Sequence, residues 1–316
     1  MSEILFITDT HIGARSGSSI FRQLFREYYR DVLFPYIKDN GIKEVFHLGD
    51  FFDNRSSLSL ADLDYVFNEL IPLIEDSGAT FRIIVGNHDT HYKNTNSVNS
   101  LAILQNVENV IIVENELEIV KTDNKTFVLC PWINVQNYDQ LLDDLKFYAD
   151  DNHILCGHFE IAGALMYKNS IPCSDGLDPK LFKKFHKVLS GHFHHNSQYS
   201  NIEYIGALFH YNWEDAGDWR GFTVYDVNED SYKQVENEFC LFTAIDYHSV
   251  YQSSNQELAD MCSDQFVRLY VNEEYDKLEY KEFRHKLEKT NPIQIDVIDN
   301  TAFDVVESNI DDASVD

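Results

Sequence analysis

Five short stretches carry side chains that could do chemistry together: "TDTH" with Asp9 and His11, "LGDFFD" with Asp50 and Asp53, "VGNHD" with Asn87, His88 and Asp89, "CGHFE" with His158, and "SGHFHH" with His192, His194 and His195. Asp, Asn and His supply the mixed oxygen and nitrogen donors that divalent ions take, and an imidazole near a carboxylate is also a proton-transfer pair. A lone Asp or His after a strand is more often a cap or a satisfied surface group. Five turns of matching character in one chain predict a shared metal site. Glycine precedes the polar residue in four of them, at Gly49, Gly86, Gly157 and Gly191, as expected where the backbone bends sharply or passes close to a ligand.

Each of the five turns follows a short apolar run. "EILFIT" (3–8), "EVFHLG" (44–49), "FRIIVG" (81–86), "HILCG" (153–157) and "KVLSG" (187–191) read as strands, as do "NVIIV" (109–113) and "TFVLC" (126–130). Several are apolar throughout, the pattern of strands covered on both faces. Between them, Ile20, Leu24, Tyr28, Val32 and Ile37 form a helical stripe with Gly41 as its stop, and 59–78 repeats the arrangement between Ser59 and Gly78. Strand-helix-strand alternation predicts a layered α/β fold, with the polar residues at the carboxyl ends of strands, where open sheets of this class gather their sites. Residues 201–246 look strand-rich. The polar stretch 248–264 marks a boundary, and 265–299 suggests a small β-α-β unit. The expected domains are therefore 1–247, 248–305 and an acidic tail, 306–316.

Composition narrows the class. A chain of 316 residues, 44% hydrophobic, can bury a large core. No run of about 18 apolar residues occurs, and the start "MSEILFITDT" has no basic, cleavable leader pattern. The chain reads as cytosolic. Its five cysteines are odd in number and mostly sit in apolar runs, which predicts reduced thiols. Lys and Arg total 25 against 53 Asp and Glu, a net charge of -28. A nucleic-acid binder normally shows the opposite balance, so any polyanionic substrate must be held despite the global field.

The series D-x-H, G-D-x-x-D, G-N-H-D, G-H and G-H-x-H, in this order, resembles the signature of calcineurin-like metallophosphoesterases. "GHFEIAGALMY", "GLDP" (176–179) and "YIGALFHYNWEDAGDWRGF" look further like the nuclease subunits of the SbcC–SbcD class, and most like the recombination endonuclease subunits of tailed phages. The resemblance covers about 3–227. It implies an α-β-β-α sandwich with a small α/β C-terminal cap domain. It also implies a two-metal site in which Asp9, His11, Asp50 and His194 bind one ion while Asp50, Asn87, His158 and His192 bind the other. His88 would be the proton donor to the leaving group, oriented by Asp53. In an extended segment His192 and His194 share a face and His195 turns away.

On that ligand set, two divalent ions carry four positive charges, the two aspartates remove two, and a surplus remains to attract a phosphodiester. The resemblance favours Mn(II), while Mg(II), Fe(II) and Zn(II) fit the same donors. It implies a 3′-to-5′ exonuclease and single-strand endonuclease in DNA recombination and repair, a homodimer formed through 59–77 and the stretch around 97–105, and association with an SMC-like ATPase. The family's ATPase-docking element is a helical segment near the C-terminus, and no amphipathic helix pair follows the small unit here. Arg15, Arg55, Lys93 and Arg220 are candidate phosphate contacts. Two other readings share the motifs: a hydrolase of small phosphodiesters, and a non-catalytic scaffold on the same fold.

Overall fold

The chain's apolar runs become two stacked sheets. The computed structural model describes residues 3–168 and 170–301, so the acidic tail expected at 306–316 lies outside the described residues. The strands up to residue 236 are β1 (Glu3–Ile7), β2 (Glu44–His47), β3 (Thr80–Ile84), β4 (Val110–Val113), β5 (Glu118–Lys121), β6 (Thr126–Cys130), β7 (His153–His158), β8 (Lys187–Gly191), β9 (Ser197–Tyr199), β10 (Ile202–Tyr204), β11 (Gly221–Asp226) and β12 (Ser231–Glu236). One sheet runs β12-β11-β1-β2-β3-β4 and the other β5-β6-β7-β8-β10-β9. The neighbours β1 to β4, and likewise β6 to β8, pair in parallel. Their turns therefore emerge on one edge of each sheet.

The sheets face each other across an apolar core. Phe6 and Phe46 from one and Phe127 from the other meet with ring centroids 5.3 to 6.2 Å apart. Ile84, Leu129, Ile154 and Leu189 extend the same layer. Behind the second sheet, Leu141 and Leu145 of the helix Tyr138–Tyr148 cover Val128 and Leu155. Helices 19–39 and 60–77 flank the first sheet, and Phe34 packs on Phe81 at 6.0 Å. The expected layered sandwich is the architecture found.

Both flanking helices carry a π turn, Tyr29–Leu33 and Val66–Leu70. In each case a proline, Pro35 or Pro72, follows two residues after the turn ends. Proline cannot donate to the carbonyl four residues back, and its ring crowds that carbonyl. A widened turn relieves the conflict without ending the helix. The inserted residue also rotates the buried face, so the expected stripe is only partly right. Phe21, Leu24, Phe25 and Tyr28 are buried before the turn, and Leu33, Phe34 and Ile37 after it, whereas Ile20 is 36% exposed. Helix 60–77 starts and stops as its ends predict: Ser59 Oγ accepts from Asp62 N at 3.0 Å, and Gly78 takes φ +64°.

The chain divides into two compact units, the second comprising Asn212–Gly217 and the described residues from Cys240 onward. The boundary expected at 247/248 thus falls at Phe239/Cys240. The reason is β13 (Phe242–Asp246), which pairs in parallel with β14 (Phe266–Val271), itself parallel to β15 (Gln294–Asp299). The stretch 248–264, expected as polar boundary, contains the helix Asn255–Cys262, opened by a capping box of Ser254 and Glu257. Only Leu258 and Cys262 of that helix are buried, too few apolar positions to show a period. They join Val267, Leu269 and Phe283 in a separate core.

Candidate metal centre

The five turns leave β1, β2, β3, β7 and β8 at their carboxyl ends, and they converge. Hydrogen bonds lock the first two together: Asp9 N donates to Gly49 O at 3.0 Å and His11 N to Asp50 O at 3.1 Å. Asp9, His11, Asp50 and His192 all have positive φ, between 42° and 88°. Left-handed backbone at a residue other than glycine costs roughly 1–3 kcal/mol and persists only where the surroundings over-determine it. His192 reaches the site through this bend, not through the extended segment expected from alternation. Glycine is required twice over. A Cβ on Gly86 would collide with Asp50 N, and one on Gly49, at φ +102°, would lie 2.5 Å from His158 Nδ1.

The donor atoms form two neighbouring groups around Asp9 and Asp50, and His11 also belongs to a third with Asp53 and His88. In one, the ligand atoms of Asp9, His11 and His194 lie within 4.8 Å of one another; in the other, those of Asp50, His158 and His192 do. Asn87 Oδ1 is 3.0 Å from His158 Nε2 and 3.0 Å from His192 Nδ1. Asp50 stands between the groups, with Oδ2 3.2 Å from His158 Nε2 and 3.9 Å from His11 Nε2. All seven side chains named as ligands from the sequence are thus together.

A cation fits this set. Asp9 Oδ2 accepts from Thr8 Oγ1 at 2.7 Å and His192 N at 3.1 Å, but the buried Oδ1 accepts from nothing among the described residues. Around it stand Nε2 of His194 at 3.7 Å, His11 at 3.8 Å and His158 at 4.0 Å. His11 and His194 bring their Nε2 atoms to 3.1 Å of each other. Converging lone pairs around an orphaned carboxylate oxygen are what a positive ion relieves. The ring orientation agrees: His158 Nδ1 donates to Leu48 O at 2.7 Å, so Nε2 is the nitrogen that faces inward and would give up its proton to a cation.

Electrostatics points the same way. Burial raises Asp9 above the usual carboxylate range, with the Asp50 charge adding to it. Burial alone would depress His158, but Asp50 and Asp9 overcome it and push the imidazole up to about 9. Its proton serves as the countercharge that a cation would otherwise supply. Burial holds His192 down at about 3 and His194 well below its ordinary value, so both are neutral at pH 7 and can ligate. Asp89 is pushed up to about 7 by burial and by Asp50. It braces the turns instead of entering the site, accepting from Phe52 N and Gly86 N, each at 2.9 Å.

With this geometry in view, comparison with known proteins is decisive for the class. Residues 2–196 match the family described as calcineurin-like phosphoesterase. The chain belongs to the calcineurin-like phosphoesterase family. This phosphoesterase is 30% identical over 246 residues to "Exonuclease subunit 1" of Enterobacteria phage T4, spanning 78% of this chain and 70% of that one. It is 26% identical over 213 residues to a subunit of the nuclease SbcCD from Staphylococcus epidermidis, spanning 57% and 55% of the two chains. Among solved structures, an archaeal phosphodiesterase is 14% identical at a TM-score of 0.39, covering 74% of this chain and 99% of that one. The protein is a metal-dependent hydrolase of phosphoesters.

The remaining candidates divide. His88 N donates to Asp50 Oδ1 at 2.8 Å, and His88 Nδ1 donates to the main-chain oxygen of Asp53 at 2.6 Å. The Asp53 carboxylate, expected to orient His88, lies 3.4 Å from His11 Nδ1 and forms one cluster with ring nitrogens of His11 and His88, all within 4.8 Å. His195 turns away, as expected, to Asp218 at 2.9 Å. Arg15 is exposed, with Nε donating to Tyr211 O at 2.9 Å; Arg55 is half-buried and Lys93 exposed. Arg220 cannot be a phosphate contact. It is 2% exposed and its guanidinium donates to Phe209 O, Trp219 O and Asp218. Sequence reasoning missed Tyr211, whose hydroxyl donates to Asp9 O at 2.7 Å and whose ring abuts His11 at 5.1 Å. It also missed Trp132, 5.5 Å from His192. The apolar strand before "CPW" was the available signal for Trp132.

Arg220→Ala should therefore damage the fold and leave DNA affinity alone. The change leaves Asp218 with His195 as its one remaining basic partner among the described residues and takes the donor from Phe209 O and Trp219 O, and removing one partner of a buried ion pair costs about 3–5 kcal/mol. Denaturant unfolding should show that loss, while the KM of the folded fraction for DNA stays at the wild-type value.

Proposed function

We propose that this phosphoesterase is a DNA nuclease, a 3′-to-5′ exonuclease and single-strand endonuclease acting in recombination and repair. The observation that supports phosphodiester chemistry is the orphaned Asp9 Oδ1 among three imidazoles. DNA is favoured among phosphodiesters by the similarity to a phage exonuclease subunit.

Asp9, His11, Asp50 and His194 would hold one ion, and Asp50, Asn87, His158 and His192 a second. Mn(II) is the proposed metal, on the family resemblance and the mixed donor set including an amide oxygen. Bound divalent ions would acidify water and stabilise charge developing on phosphoryl oxygens. The protein's own part is positional. Thr8 and His192 N fix the Asp9 carboxylate, Leu48 O fixes the His158 tautomer, and Tyr211 ties its hydroxyl to the Asp9 main chain. His88, with Nδ1 committed to Asp53 O, presents Nε2 as the atom that protonates the departing sugar oxygen. Asp53 acts through that carbonyl and through its carboxylate on His11.

The chain would act as a homodimer with an SMC-like ATPase partner, in the cytoplasm of a host cell if phage-encoded. Subunit names among the relatives support an assembly, and among the described residues no helix is long and apolar enough to cross a membrane. The second unit would serve as the small DNA-capping domain. Digestion of end-labelled duplex and circular single-stranded DNA with added Mn(II) tests the proposal. Both should be degraded, and chelation should stop both. Intact DNA beside a hydrolysed small diester would leave a small-substrate phosphodiesterase as the better reading.

A further inference from the structure

Beside the metal centre lies a cavity of about 240 Å³ walled by Trp132, Ile133, Tyr138, Phe159 and Leu177 and reaching His158. Tyr138 and Leu177 also wall a second groove of about 380 Å³, whose far side carries Lys146, Lys180 and Lys184. The two thus share Tyr138 and Leu177 as walls, and the one that reaches His158 is lined mainly by apolar side chains while the other carries the lysines. Three lysines face a single lining carboxylate, Asp178, and that carboxylate is occupied in capping Lys180 N at 2.9 Å. Lys180 and Lys184 are exposed and form no ion pair among the described residues, whereas Lys146 pairs with Asp143 at 2.9 Å. In a chain of net charge -28, the segment "KLFKKFHK" (180–187) contains no acidic residue.

The apolar end is rigid. Trp132 N donates to Val85 O at 2.9 Å, and Trp132 O accepts from Asn96 Nδ2 at 2.9 Å and Asn137 Nδ2 at 3.1 Å. The indole is thereby held with its ring centroid 5.5 Å from that of His192 and 5.9 Å from that of His158. Tyr138, 45% exposed at the start of a helix, offers a second aromatic face. Glu160 on the same wall is an acceptor suited to an exocyclic amino group.

We propose that this pocket and groove are a single-stranded DNA subsite: a nucleobase next to the scissile phosphate packs against Trp132 and Tyr138, and Lys180 and Lys184 bind the phosphates that follow. Aromatic faces joined to a basic track are how unpaired strands are held without sequence preference. Paired bases cannot present their faces, so the subsite selects a frayed or single-stranded terminus. The inference rests on the nuclease reading and names where its substrate strand runs.

The test compares the Mn(II)-loaded full chain acting on a thymidine hexanucleotide and on a thymidine dinucleotide, whose one phosphate is the one cleaved. Wild type should prefer the hexanucleotide through KM. In the double variant Lys180→Glu, Lys184→Glu the hexanucleotide KM should rise roughly tenfold or more, with kcat retained. The salt dependence of log KM should flatten by about 1.4 for two lost single-strand phosphate contacts. Tyr138→Ala should raise the hexanucleotide KM roughly tenfold through lost stacking. Dinucleotide hydrolysis by the charge-reversed variant reports whether it is folded. A length preference that survives the charge reversal, with a hexanucleotide KM unchanged by Tyr138→Ala, overturns the subsite and leaves the nuclease intact. Failure of wild type to cleave either oligonucleotide, while it cleaves a nitrophenyl diester, overturns the nuclease reading and this inference with it.

Discussion

His88→Ala should lower the rate of DNA hydrolysis by about 10²–10⁴-fold, the usual contribution of a positioned general acid, and should do so almost entirely in kcat. The imidazole contributes none of the donor atoms in the two groups around Asp9 and Asp50, although it stands in a third cluster with His11 and Asp53. Its links to them are main-chain N to Asp50 Oδ1 at 2.8 Å and side-chain Nδ1 to Asp53 O at 2.6 Å. Alanine keeps the first link and loses only the ring, so metal uptake measured by calorimetry should match wild type. The discriminating measurement is leaving-group dependence. A sugar alkoxide needs a proton as it departs, whereas a nitrophenolate leaves as a stable anion. The variant should therefore hydrolyse a bis-nitrophenyl diester within about threefold of wild type while failing on DNA. Equal losses on both substrates would instead mean that the ring positions the phosphate or the ions.

The role proposed for His88 comes from family resemblance, and that resemblance is carried by short motifs. Each of the five turns is local, an apolar strand and a polar residue within a few positions with a glycine between them in four, so the resemblance that implies Asp9, His11, Asp50, Asn87, His158, His192 and His194 as ligands needs no knowledge of how the turns meet. Parallel pairing of β1 to β4 and of β6 to β8 then brings them together, which alternation of strands and helices already implied. Less legible were features that depend on rotamers or on distant neighbours. Whether Asp53 presents its carboxylate or its carbonyl to His88 is a choice of backbone turn that the letters "GDFFD" do not contain. Arg220 stands near the motifs in sequence, and only its hydrogen bonds to Phe209 O, Trp219 O and Asp218 show why it is internal. Tyr211 reaches Asp9 across 202 positions of sequence. The rotated face of helix 19–39 has a cause written in the chain, Pro35, but its consequence is a π turn one step earlier. A regular 3.6-residue period could not anticipate that.

Asp50→Asn should have the largest effect of any single change, because it removes the one carboxylate that stands between both donor groups. Asparagine keeps the shape and can still accept from His88 N, so the fold should survive and unfolding midpoints should move little. Two ions would lose the negative charge they share. Uptake of Mn(II) at both positions should weaken sharply, and phosphodiester hydrolysis should fall by at least about 10³-fold, the several kcal/mol that metal ions supply to such reactions. DNA affinity should fall as well, and here the sign is instructive. The substitution makes the protein less negative by one unit, so on global charge alone it would help a polyanion bind. At physiological salt, however, charges more than about 8 Å apart are largely screened, and the net -28 spread over the surface matters less than the field inside the site. There, loss of two divalent ions removes four positive charges against the one negative charge deleted. Anisotropy titration of a labelled oligonucleotide with and without Mn(II) separates the two views: wild type should bind only when loaded, and Asp50→Asn should bind weakly in both conditions. Tighter binding by the variant without metal would show that the global field governs this protein, and that the surplus positive charge assigned to the metal centre is not what draws the substrate in.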